Sequence, residues 1–142
     1  MKKEYFYTAS PAESEAVGAM LAERLLANEA LPRYIALYGD LGVGKTAFVR
    51  GVTSVLCPGA AVRSPTFALV HEYRGKLPVF HFDMYRILDE DDLYSTGFYD
   101  YIEQGSIVIT EWTELFEDSV PEGAIRLKIE TLSETERRFT LC

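Results

Sequence analysis

The spacing of apolar positions divides the chain into short strands and helices. "EYFYTA" alternates as a first strand, and "SPAE" follows as a helix start, with Ser10 as cap, Pro11 at the first helical position and Glu13 completing a capping box. Val17, Met20, Leu21 and Leu25 then recur at helical spacing and predict a buried stripe. "RYIALY" is a short β-branched and aromatic run, and "AFVRGVTSVL" places Phe48, Val49, Val52, Val55 and Leu56 along one side of a helix. Strand, glycine-rich loop and helix therefore follow one another from Tyr34 to Leu56.

Farther on, "VRSPTFALVHEYRGKLPVFHFDMYRI" alternates as two strands around a turn at Gly75, which predicts an antiparallel hairpin. "LDEDDLYSTGFYDYIEQG" reads as one or two short acidic helices stopped by Gly97 and Gly105, and "SIVITEW" returns to the composition of a buried strand. "AIRLKIETLSETERRFTLC" predicts a second hairpin. Strands interspersed with flanking helices point to an α/β sandwich built on a mixed central sheet that includes antiparallel hairpins. No repeat or linker interrupts the pattern, so residues 1–142 read as one domain.

The loop between the second strand and its helix is "GDLGVGKT", Gly39 to Thr46. A Gly, four residues and then Gly-Lys-Ser/Thr is the spacing of a phosphate-binding P-loop. Gly39 and Gly44 can adopt backbone angles closed to other residues, which lets successive N–H groups turn inward around phosphate. The Lys45 ammonium would meet the terminal phosphates and the Thr46 hydroxyl a Mg²⁺ ion, at a helix start that already favours an anion. The alternative is a plain glycine turn, but such a turn has no need of Lys-Thr, and a first-turn lysine opposes the helix dipole unless an anion is bound.

Composition narrows the rest. The chain has 142 residues, 48% apolar content and a net charge of −8, which excludes disorder and argues against broad contact with a nucleic-acid backbone. The N-terminus carries no apolar stretch long enough for a signal peptide or membrane span, so a cytosolic protein is expected. Cys57 and Cys142 lack metal-ligand spacing and read as ordinary thiols.

Phosphoryl chemistry needs an acid near the loop to hold metal or water, and apolar strands that end in acids are the usual suppliers. Glu111 closes "SIVITE" and Asp83 lies in "VFHFD", so Glu111 is the first candidate and Asp83 its companion, although Asp83's strand could put it on the far face. In "RSPTF", Pro65 holds the chain extended and Thr66 offers a hydroxyl, as in a phosphate-sensing switch or, equally, a turn entering a strand. His71 and His81 read as packing residues with no metal or base role. Trp112 is either half-buried core or an aromatic beside the nucleotide. The run Asp89 to Asp92 suits a helix N-terminus and could also dock a basic partner.

Together, "YGDLGVGKT", "SPTF", "HFDMYR" and "TEW", in this order and in a chain of this length, resemble the bacterial TsaE family, from about the first strand to about Trp112. The resemblance implies an ATP- and Mg²⁺-dependent P-loop ATPase that supports threonylcarbamoyl modification of adenosine 37 in tRNA. It implies action on two partner proteins, TsaB and TsaD, with tRNA engaged only through them. By motif, the backbone of Asp40, Leu41, Gly42, Val43 and Gly44 would form the phosphate cradle, and Lys45 and Thr46 the phosphate and Mg²⁺ contacts. Glu111 corresponds to the metal-side acid, Asp83 to the acid of the "HFD" motif, Thr66 to the switch-like segment and Trp112 to the aromatic after the acid. Residues near Ser10 and the pair Arg137 and Arg138 are candidates for adenine contacts. One departure is that Thr110 precedes a Glu where a Walker B strand ordinarily ends in Asp. A small-molecule or nucleotide kinase is the alternative enzyme class, although the arginines are scattered rather than gathered in a lid. A nucleotide-gated binding module is a further one.

Overall fold

The structure is a computed structural model that describes residues 3–39, 44–60, 62 and 70–142. Seven strands form one sheet: β1 (Glu4–Thr8), β2 (Tyr34–Tyr38), β3 (Val70–Tyr73), β4 (Val79–Asp83), β5 (Ile107–Glu111), β6 (Ile125–Thr131) and β7 (Arg137–Leu141), in the order β1-β7-β6-β2-β5-β4-β3. The inner strands β6, β2, β5 and β4 run parallel. The hairpins β3/β4 and β6/β7 and the pair β1/β7 are antiparallel. This is the mixed sheet expected from the alternation.

Burial explains why the strands differ in composition. All of β5 is buried because both of its faces are covered, whereas β6 alternates because only one is. Ile35 and Leu37 join the core beneath α1 (Pro11–Ala27) and α2 (Lys45–Leu56), with Phe48, Val52, Ile109 and Phe139. Tyr34 and Ala36 point the other way, into a second core with Phe82, Val108, Leu93 and Phe98. Leu93 belongs to α3 (Glu90–Ser95) and Phe98 to α4 (Phe98–Glu103), so the acidic segment does form two short helices. Complete burial of a residue such as Phe48 contributes about 1.5–3 kcal/mol. Among the described residues no helix is long and apolar enough to cross a membrane.

The start of α1 follows the predicted cap with one change. The Glu13 N–H donates to Ser10 Oγ at 3.2 Å, and the Glu13 carboxylate accepts from the N–H of Ala9 rather than Ser10. Helices α1 and α2 then meet backbone to backbone. A Cβ on Gly51 would lie 1.9 Å from the Glu15 carbonyl oxygen, and one on Gly18 2.1 Å from that of Phe48. At the β3/β4 turn, Gly75 is required for the same reason: a Cβ there would stand 2.1 Å from the Leu56 carbonyl oxygen. The adjacent Lys76 N–H donates to that oxygen at 2.8 Å. Cys57 is a buried free thiol beside this turn, and Cys142 is also free.

Two strands stop earlier than the alternation suggests. β4 ends at Asp83, whose Oδ1 accepts the Tyr85 N–H at 3.0 Å and starts a 3₁₀ turn over Met84–Arg86. β5 ends at Glu111, and Trp112 turns the chain out of the sheet into a 3₁₀ segment, Thr113–Ser119. At β4 the Asp83 side chain offers the backbone a local partner that competes with the ladder.

Candidate functional site

The candidate site lies where β2, β4 and β5 deliver their carboxyl ends beside the first residues of α2. Gly39, just past β2, has φ of 140°, and Gly44, which caps α2, has φ of 102°. Both are in the range that disfavours a side chain, in accord with the glycine spacing. Asp40, Leu41, Gly42 and Val43 lie outside the described residues, as does Thr66 with the "RSPTF" segment. No side chain caps α2, and its first turn contains no acid.

Lys45 opens this helix and points inward. It is 4% exposed, and its Nζ meets no hydrogen-bond acceptor among the described residues. The nearest carboxylate oxygen is Glu111 Oε1 at 4.0 Å, and the Trp112 ring centroid is 5.0 Å away. Glu111 is 7% exposed. Its other oxygen, Oε2, is 2.5 Å from Nε2 of the fully buried His81, although the two atoms lack the alignment of a hydrogen bond. A buried ammonium with so little compensation is costly unless another anion completes its surroundings.

Parallel pairing of β4 and β5 sets Asp83 opposite Glu111. Asp83 therefore shares the face of Glu111, and the far-face alternative does not hold. Burial holds the Asp83 carboxyl above the usual carboxylate range, and the Glu111 charge adds to the shift; the Tyr85 N–H, Arg86 and His81 oppose it. Trp112 adopts φ of 58° and ψ of 36°, an uncommon conformation for a residue with a large side chain. The turn is fixed by Thr113, whose hydroxyl donates to the Leu37 carbonyl oxygen at 2.9 Å and lies 2.9 Å from the Thr110 hydroxyl. Thr110, one residue before Glu111, thus ties β5 to the turn that carries Trp112. Trp112 is half-buried against the second core, and its ring also lies near both Lys45 and Tyr85, whose ring centroid is 5.1 Å away.

A cavity of about 270 Å³ adjoins Gly44 and is also lined by Ser10, Pro11, Ala47, Thr135 and Arg137. The Arg137 guanidinium donates to the carbonyl oxygens of Ser133 at 2.9 Å and Glu136 at 3.0 Å, which holds the β6/β7 turn against the cavity. Arg138 points away and pairs with Glu130 at 3.0 Å. The two neighbouring arginines are separated by strand alternation, so only Arg137 stands near the loop.

His81 is the residue that sequence reasoning passed over. The signal was available, because residues two apart on a strand share a face, and assigning a site role to Asp83 brings His81 to the same side. Among the described residues, no group of three His, Cys, Asp or Glu side chains could hold a metal ion by itself. The Thr46 hydroxyl and the acids Glu111 and Asp83 are hard oxygen donors, the type that suits Mg²⁺.

Comparison with known proteins places the chain in a family. Residues 8–139 match the family model described as "Threonylcarbamoyl adenosine biosynthesis protein TsaE", a match that runs well past Trp112 into the last strand. A Bacillus subtilis protein described as "tRNA threonylcarbamoyladenosine biosynthesis protein TsaE" is 33% identical over 141 residues, covering 99% of this chain and 85% of the relative. A Haemophilus influenzae protein of the same description is 40% identical over 98 residues, covering 68% of this chain and 61% of that one. The crystal structure of Bacillus subtilis YdiB superposes with a TM-score of 0.77 at 30% identity, covering 99% of this chain and 84% of that one. The chain belongs to the TsaE family of threonylcarbamoyl adenosine biosynthesis proteins.

Proposed function

We propose that the protein is a slow Mg²⁺-dependent P-loop ATPase of the cytoplasm that supports threonylcarbamoyl modification of adenosine 37 in tRNA by acting on a TsaB–TsaD complex. The observation that carries this reading is the Lys45 amino group, buried at the start of α2 behind a positive-φ glycine and without a hydrogen-bond acceptor among the described residues. A polyphosphate would supply the missing acceptors and the compensating charge.

Each residue then has a defined task. Lys45 holds the terminal phosphates, and the backbone from Asp40 to Gly44 cradles them. Thr46 and Glu111 hold Mg²⁺, which neutralises developing charge on the phosphate oxygens when bound. Glu111 and Asp83, side by side, orient the attacking water. The cavity beside Gly44, edged by Ser10 and Arg137, accepts the base and sugar. The net charge of −8 favours partners rather than this chain as the tRNA-binding surface.

The kinase alternative calls for an arginine clamp on the transferring group. Arg50, Arg126, Arg137 and Arg138 are instead engaged with Glu15, Glu117, the β6/β7 turn and Glu130. The deciding experiment is ATP hydrolysis with Mg²⁺, by the protein alone and after addition of purified TsaB and TsaD. Low basal turnover with clear stimulation is expected. Fast turnover that ignores the partners, or label transferred to a small acceptor, would overturn the reading.

A further inference from the structure

We propose that the exposed surface formed by Tyr85 and Leu88, with Leu115 on the adjoining 3₁₀ segment, docks a protein partner whose matching surface is an apolar pocket ringed by basic side chains. Tyr85 is 66% exposed, Leu88 88% and Leu115 52%. Singly exposed apolar residues are ordinary, but Tyr85 and Leu88 occur together. Tyr85 and Leu88 line one open concavity with Asp83 and Arg86. Leu115 projects from the 3₁₀ segment that packs against the Met84–Arg86 turn, and its N–H donates to the Trp112 carbonyl oxygen at 3.1 Å.

The protrusion is built rather than loose. Asp83 holds the Tyr85 N–H, the Leu88 N–H donates to Asp92 Oδ2 at 3.0 Å, and Asp89 caps α3 through the Asp92 N–H at 2.8 Å. An anchor already fixed in place loses little entropy on binding.

Charge selects the occupant. Asp83, Asp89, Glu90, Asp91 and Asp92 surround Tyr85 and Leu88 in sequence, against the one cation Arg86 in that stretch, and Glu114 and Asp118 flank Leu115, while Glu117 is paired with Arg126. Such a rim complements a basic surface, repels nucleic acid, and would set like charges together if a second copy of this chain docked there. The surface also touches the candidate site, since the Tyr85 ring lies against Trp112, whose ring lies 5.0 Å from Lys45 Nζ. A partner seated on Tyr85 is therefore two side chains from the phosphate-binding lysine.

The inference rests on the partner-dependent reading above, with the TsaB–TsaD complex as the probe. Fluorescently labelled full-length protein is titrated with that complex in parent, Leu88→Glu, Leu115→Glu and Tyr5→Glu forms, the last altering an exposed residue on the distant edge strand β1. Leu88→Glu is expected to weaken binding about tenfold or more, and added salt to weaken the parent complex. Tyr5→Glu should bind like the parent, and ATP affinity without partner should be unchanged in every form, which shows that the fold is intact. Parent-like affinity in both Leu88→Glu and Leu115→Glu would overturn the inference while leaving the ATPase reading standing. A parent protein that does not bind the complex overturns the partner reading and this one with it. A parent dimer that Leu88→Glu dissociates would assign the surface to a second copy instead.

Discussion

His81 Nε2 and Glu111 Oε2 lie 2.5 Å apart in a buried pocket, while the opposite oxygen of Glu111 faces Lys45 at 4.0 Å. The carboxylate is thus the common neighbour of two basic side chains, and the two ends of this row should respond differently to mutation. Glu111→Ala leaves a lysine and a histidine buried without their acid, with an expected stability loss of about 3 kcal/mol. Lys45→Met keeps the apolar stem and leaves Glu111 beside His81, so a loss below about 1.5 kcal/mol is expected. Both should lose Mg-ATP binding. Urea denaturation of the two variants checks the ranking, and equal losses would deny Glu111 its central place.

Asp83 gives a pH signature. Its folded pKa is raised, so the folded state holds the proton more tightly than the unfolded chain. Its contribution is favourable below the ordinary aspartate range and is lost as pH rises through the elevated folded value. Asp83→Asn removes this dependence and keeps an oxygen to accept the Tyr85 N–H. The thermal midpoint of Asp83→Asn relative to the parent should therefore rise as pH is taken from about 3.5 to neutrality. A flat difference would contradict the raised pKa.

Arg137 and Arg138 separate the cavity beside Gly44 from a surface ion pair. Arg137→Ala frees the β6/β7 turn beside that cavity and is expected to weaken ATP binding about tenfold. Arg138→Ala removes its partly exposed contacts with Glu130 and Tyr7, away from the cavity, and should leave affinity unchanged. Trp112, the single tryptophan of the chain, lies 5.0 Å from Lys45 Nζ and provides an intrinsic fluorescence readout for the titration.

The contact between α1 and α2 allows no extra atom at Gly51. Gly51→Ala would ordinarily favour a helix, but here the new Cβ falls 1.9 Å from the Glu15 carbonyl oxygen, which is backbone and cannot rotate away. The helices must separate, at an expected cost of about 2–3 kcal/mol. Chemical denaturation tests this, and a stabilised variant would refute the close approach.

Much of the architecture was legible because local chemistry determines local structure. Ser10-Pro11 starts a helix whatever surrounds it, the acids before Leu93 favour a helix N-terminus, and the alternation on either side of Gly75 suits a hairpin. The positive-φ glycines before Lys45 and the strand-end position of Glu111 were likewise readable, since each follows from residue type and position along one segment.

Other relationships exist only once distant segments meet. Alternation gives a residue its parity on a strand but not which face is inward, nor which strand lies alongside. Sheet assembly sets Asp83 opposite Glu111, brings His81 into contact with that carboxylate and parts Arg137 from Arg138. The left-handed turn at Trp112 is likewise held from outside its own segment, by the Leu37 carbonyl oxygen that accepts the Thr113 hydroxyl. The sequence by itself determined the elements and the glycines that flank the loop, because those depend on neighbours along the chain. The tertiary structure alone decided how Lys45, Glu111, His81 and Trp112 share one buried space, because that depends on strand order and register.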